Sequence, residues 1–134
     1  MKKLCTSMAM VGVLFMASTA WATPAADELF ARYKAEGAAG FDAERGNKNW
    51  TKEGKGEGGE KMSCTTCHGD DLSKQGKHHK TGKVIQPMAP SANAERFTDV
   101  KKIEKWFKRN CNDAWGRECT AQEKGDFLKF LLTK

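Results

Sequence analysis

Cys64-Thr65-Thr66-Cys67-His68 decides how the rest of this chain is read. It is a C-x-x-C-H site, in which two thiols add across the vinyl groups of a haem and the adjacent histidine takes the iron. Two intervening residues let both sulfurs reach the vinyls along one edge of the macrocycle. His68 then falls beneath the ring with its imidazole aimed at the metal. A zinc site would want a second ligand pair at suitable spacing, and a thioredoxin-like pair would want a βαβ context. The sequence supplies neither, so the expected cofactor is one covalently bound haem c.

The chain's start agrees with that reading. Met1-Lys2-Lys3 is a short basic opening, followed by an apolar run through Val11, Val13, Leu14, Phe15 and Met16 and then by Ala20-Trp21-Ala22, an A-x-A-like cleavage site. Such a segment is a secretory signal peptide, too short in its apolar part to be a membrane anchor. Cleavage after Ala22 would assign residues 1–22 to the signal and 23–134 to one cytochrome c domain. Cys5 would leave with the signal. The expected location is a bacterial periplasm, where haem c is attached and disulfides persist. No later segment has transmembrane length, so a domain not embedded in the membrane is expected.

Composition narrows the function. Charged residues make up 30% of the chain and mean hydropathy is −0.68, which implies a small core that a buried haem would complete. The formal charge is +6, part of it on Lys2 and Lys3 of the leader. The remaining excess is too small and too mixed to argue for nucleic acid. The lysines from Lys74 to Lys83 flank the haem motif, and they read either as a rim that steers an acidic redox partner or as a solvated loop.

Periodicity predicts four helical segments and a long wrapping loop. Leu29, Phe30 and Tyr33 mark a helix from Ala25 to about Glu36. A second runs from Phe41 to about Trp50, with Asp42 as its N-cap. Thr51 to Glu60 reads as an exposed loop rich in Gly, Lys and Glu. From Gly69 to about Phe97 no period is sustained, and a stretch of that length suits a compact domain only if a ligand organises it. Thr98 or Asp99 then caps a helix reaching about Asn110, with Val100, Ile103, Trp106 and Phe107 on one face. Thr120 and Glu123 form a capping box before a last helix whose stripe is Phe127, Leu128, Leu131 and Leu132. With no strand-like alternation, the fold class is all-α: a class I cytochrome c fold with about four to five helices around the haem.

The sixth iron position separates an electron carrier from a binder of small ligands. Met88, in the Pro-constrained Gln86-Pro87-Met88-Ala89-Pro90, offers a soft thioether that would favour ferrous iron and a high potential. His78 and His79 are further candidates, although paired histidines between lysines are more often exposed. Asn110 shares a helix face with Ile103, Trp106 and Phe107, and reads either as a helix C-terminal residue or as an amide aimed at the haem. Cys111 and Cys119, left over in an oxidising compartment, would close a short disulfide loop directly after it. Trp106 and Trp115 are expected to pack against the haem or that loop. Arg109 and Arg117 read as propionate partners or surface ion pairs.

Several segments together resemble a known family. Cys64-Thr65-Thr66-Cys67-His68-Gly69, Ala89-Pro90-Ser91-Ala92, Arg96-Phe97-Thr98-Asp99 and Arg109-Asn110-Cys111-Asn112, with Cys119-Thr120 beyond, are similar to the sphaeroides haem proteins, monohaem cytochromes c that bind oxygen. The Arg-Asn-Cys-Asn segment with its second cysteine eight residues on is the specific part. The resemblance implies His68 and Asn110 as axial ligands of ferric iron and a Cys111–Cys119 disulfide. It also implies that the asparagine leaves on reduction, opening a site for oxygen, nitric oxide and similar ligands. Electrons would come from a dihaem cytochrome c, sometimes linked to a membrane cytochrome b. Oxygen reduction and nitric oxide detoxification are both consistent with such a site. Met88, where the family need not have a methionine, stays an alternative ligand, and the Lys77-His78-His79-Lys80 segment departs from the family pattern.

Overall fold

The computed structural model describes residues 21–134. Of the signal-peptide reading, residues 1–20 lie outside the described residues. Helix α1 (Pro24–Ala35) starts where Pro24 fills the first turn and the Thr23 hydroxyl accepts the Ala26 N–H at 3.0 Å. It buries Leu29 and Tyr33. Helix α2 (Ala43–Thr51) is capped by Asp42, whose carboxylate accepts the Arg45 N–H at 2.8 Å. Two-residue strands β1 (Gly54–Lys55) and β2 (Lys61–Met62) then pair antiparallel.

The haem motif forms a single turn, α3 (Thr65–His68), followed by strands β3 (Gly76–Lys77) and β4 (Val84–Ile85), again antiparallel. Helix α4 (Val100–Trp115) is capped by Asp99 and α5 (Ala121–Leu131) by the Thr120/Glu123 capping box. The architecture is all-α, with the expected helices in the expected order.

Two expectations need correction. The segments read as irregular contain the two short ladders, which are too brief to leave an alternating pattern in the sequence. Helix α4 also continues five residues past Asn110, to Trp115. Its stop is Gly116, which adopts the left-handed φ of 66° and returns its N–H to the Asn112 carbonyl at 2.8 Å. Asn110 is therefore an interior helical residue, and the reading of it as a C-terminal cap falls.

The core lies where α5 crosses α2 and α1. Trp50, Phe127 and Phe130 meet there, with ring centroids 6.1–6.2 Å apart. Gly46 lets the two backbones close, since a Cβ at that position would collide with the Asp126 carbonyl and sit 2.7 Å from Phe130 Cβ. Beside it, Asp126 is buried yet fully engaged: Arg45 donates to both its oxygens (2.8 and 2.9 Å) and the Asp42 N–H to one (2.8 Å). Across the molecule the buried Tyr33 hydroxyl donates to Glu104, whose other oxygen receives Lys124 Nζ at 2.8 Å. That trio joins α1, α4 and α5.

Candidate haem site

The helical frame positions α3 directly. The Trp50 carbonyl at the end of α2 accepts the Cys64 N–H at 3.2 Å. The Trp50 indole lies against the His68 imidazole, ring centroids 5.3 Å apart. Cys64 and Cys67 are free thiols on the same turn. Burial pushes the Cys64 thiol up to about 12, so it remains protonated at neutral pH. Burial also brings His68 down to about 4, with the Arg96 charge adding in the same sense. The ring is therefore neutral, which is the state in which an imidazole binds a metal. Its Nδ1 is buried with no hydrogen-bond partner among the described residues.

The β3–β4 hairpin seals the other flank. A Cβ on Gly76 would run into the Cys67 carbonyl and come within 2.9 Å of His68 Cα, so only glycine fits this approach. At the hairpin's tip His79 Nδ1 is 3.5 Å from Cys67 Sγ, while its Nε2 is 3.5 Å from Glu60 Oε1. His78 stacks on His79 at 5.2 Å and takes the Thr81 N–H on its Nδ1. The histidine pair is thus occupied at the surface edge of the attachment site.

Met88 is half-buried in the following loop. Its N–H and that of Ala89 both donate to the Leu72 carbonyl (3.0 and 2.9 Å), which ties its backbone to a residue four positions after His68. Asn110 arrives on the separate element α4. Its face carries buried Ile103, half-buried Phe107 and Trp106, which is 43% exposed. The Asn110 amide makes no hydrogen bond to another described residue, whereas Asn112, two positions on, is committed to the Lys108 carbonyl at 2.6 Å. Cys111 and Cys119 are joined by a disulfide, Cα–Cα 5.7 Å, tying α4 to the start of α5.

The other residues singled out in the sequence separate. Trp115 packs on Phe127 at 5.6 Å, beside the disulfide, and donates to the Lys52 carbonyl at 3.2 Å. Trp106 is 43% exposed, with the Arg109 guanidinium over its ring at 5.3 Å. Arg117 makes a two-pronged ion pair with Glu123 (2.7 and 2.8 Å). For three residues of this neighbourhood, Trp50, Gly76 and Arg96, residue type and spacing point to no role, because each matters only through what the fold brings next to it.

The residues present fit a haem c. Two free thiols and a half-buried neutral imidazole share one turn, and on α4 stands an amide with no hydrogen bond to another described residue. When bound, haem supplies an iron that exchanges one electron and can take a small ligand. Fold and site together define a c-type cytochrome with haem c as its cofactor.

Comparisons with known proteins make the assignment narrower. Residues 36–131 match a family described as a domain of unknown function, DUF1924. The chain is 47% identical over 107 residues to the cytochrome c-type protein SHP of Cereibacter sphaeroides, covering 80% of this chain and 82% of that protein. It is 42% identical over 76 residues to cytochrome c'' of Methylophilus methylotrophus, 57% of this chain and 53% of that one. The structure of oxidised SHP, an oxygen-binding cytochrome c, superposes with a TM-score of 0.72 at 44% identity, covering 81% of this chain and 96% of that chain. The chain belongs to the sphaeroides haem protein family.

Proposed function

We propose that this cytochrome binds diatomic ligands under redox control, with His68 and Asn110 as axial ligands of ferric haem and Asn110 departing on reduction. One observation carries the reading: Asn110 is an interior residue of α4 whose amide has no protein hydrogen bond among the described residues, and it stands beside an exposed aromatic. Met88 is less favoured, because its backbone is fixed by a hydrogen bond to Leu72 and its soft thioether prefers ferrous iron. An amide oxygen is a hard donor, so it bonds ferric iron better than ferrous, and a thioether does the reverse. The disulfide limits how far the α4 backbone can wander, so departure is a side-chain motion rather than a helix displacement. Oxygen binding by SHP, the relative named above, agrees with this use of the site.

Electrons would arrive from another exported c-type cytochrome, such as a dihaem protein, at the lysine-bearing hairpin over Cys67. Lys77, Lys80 and Lys83 surround Val84 there, which is 60% exposed. An apolar centre with a basic rim suits brief docking of an acidic partner. Export to the periplasm places the thiols and disulfide in the chemistry they need.

Optical spectra of the holoprotein test the reading. A low-spin ferric form should become five-coordinate and high-spin on dithionite reduction, then bind carbon monoxide readily. Asn110→Ala should leave ferric iron high-spin or water-ligated. A ferrous form that stays low-spin and ignores carbon monoxide would instead make this an electron carrier with Met88 as sixth ligand, and Met88→Ala would then lower its potential. Steady consumption of oxygen or nitric oxide with a reductant would show catalysis at the same site.

A further inference from the structure

Most charged side chains near the haem motif are already engaged. His79 and Lys80 face Glu60, Lys74 faces Asp71 and Arg117 holds Glu123. Arg96 differs: it is half-buried and has no carboxylate within ion-pair distance among the described residues. Its Nε donates to the Pro87 carbonyl at 2.7 Å and one Nη to the Gln86 carbonyl. Those bonds fix the plane of the fork but leave its second Nη and its whole positive charge unmatched. Even partial burial of an unpaired cation carries a desolvation cost that an anion on its free edge would offset.

The placement is also enforced by strain. Phe97, the next residue, is buried with φ of 60°, the left-handed region that a bulky side chain avoids. The Thr23 hydroxyl donates to the Phe97 carbonyl at 2.6 Å and holds this turn. The turn leaves Arg96 against Gln86 and Pro87, and the next residue, Met88, donates its N–H to the carbonyl of Leu72, four positions after His68. The nearby acids do not answer it. Glu95 is exposed, and Asp99 is occupied capping α4 through the Lys102 N–H at 2.8 Å.

We propose that Arg96 anchors a haem propionate, its free edge gripping the carboxylate while the Gln86–Pro87 turn holds the guanidinium in plane. Carboxylates are the anions this cofactor carries, and a guanidinium fork matches one in two-pronged fashion. The proposal rests on the haem c assignment and stands whichever residue fills the sixth position. Arg96 is in this role a positioning residue for the ring.

The experiment compares purified holoprotein with its R96K and R96Q variants, reading midpoint potential and the propionate-bending band in resonance Raman. Removing the cation leaves a bare carboxylate near the iron, which favours the ferric state. R96Q should therefore lower the potential and shift the propionate band, while R96K, which keeps the charge but cannot bond both carbonyls, stays nearer the parent. If R96K and R96Q behave alike and the propionate band does not move, Arg96 is only a loop brace and the proposal is overturned. Should the variants fail to load haem, a crystal structure of the unaltered holoprotein decides. A guanidinium nitrogen within about 4 Å of a propionate oxygen upholds the anchor and a greater separation refutes it. Spin state, which reports the Asn110 reading, is a separate observable.

Discussion

The α2–α5 crossing and the loop from Gly69 to Phe97 are built on opposite principles. At the crossing, aromatic side chains interlock and the buried Asp126 has protein donors at both oxygens. The loop is held by one short ladder, local turn bonds such as those of Ala92 and Asn93 to the Ala89 carbonyl, two N–H bonds to Leu72 and the Arg96 fork onto two carbonyls. Its largest buried side chains, Leu72 and Phe97, are few for its length. The crossing thus satisfies its buried acid from within the protein, whereas the attachment turn α3 carries a neutral imidazole and two free thiols, and the loop after it carries a cation with no carboxylate partner among the described residues. Stability and function reside in different parts of the chain, and the cofactor joins them.

Removing the covalent anchor should give the largest effect. A Cys64→Ser/Cys67→Ser protein should lose tightly held haem. Limited proteolysis should then cut within residues 69–97 at least about tenfold faster than in the parent, while far-UV circular dichroism keeps most of its helical signal. Loss of the helical signal in the same preparation would mean that the frame depends on haem as much as the loop does, and the comparison would break.

Two glycine replacements sharpen the same contrast. Gly46→Ala places a methyl between α2 and α5 and should cost about 1–3 kcal/mol in chemical denaturation, leaving the haem spectrum as it was. Gly76→Ala places one against the Cys67 carbonyl and His68 Cα. It should alter the ferric spectrum and the potential with less effect on the denaturation midpoint. Equal spectral change in both variants would mean that strain passes freely between frame and site.

What the sequence makes legible follows the same division. The caps at Asp42, Asp99 and Thr120 and the haem motif are local signals, carried by residues within a few positions of one another. The end of α4 is harder to place because Asn110 can terminate a helix, and only the left-handed Gly116 shows where this one stops. Gly46 and Gly76 look like any other glycine until a second backbone arrives beside them. Arg96 likewise gives no role from its residue type until the Phe97 turn sets it against the Gln86 and Pro87 carbonyls. Helical period puts Trp106 on the inward stripe, yet period tells which face a residue shares and not what covers that face.

The smallest effect should come from the frame's own titration. In Glu104, burial favours the neutral acid, but hydrogen bonds from Lys124 and Tyr33 and the Lys124 charge outweigh it and hold the carboxyl below its ordinary value. Tyr33, buried and facing that carboxylate, is pushed up and stays a neutral donor. A carboxyl depressed in the folded state contributes stability that is present above its unfolded value and lost as pH falls through the folded one. Acid should therefore loosen the junction of α1, α4 and α5, below the normal range for glutamate. Glu104→Gln keeps the shape but cannot ionise, so its stability should fall less steeply between neutral and acidic pH, by about 1 kcal/mol. Denaturation midpoints of both proteins across that interval test this. Parallel pH curves would show that Glu104 contributes packing alone, and that the acid sensitivity of the frame lies with other carboxylates such as Glu123, held low by Arg117.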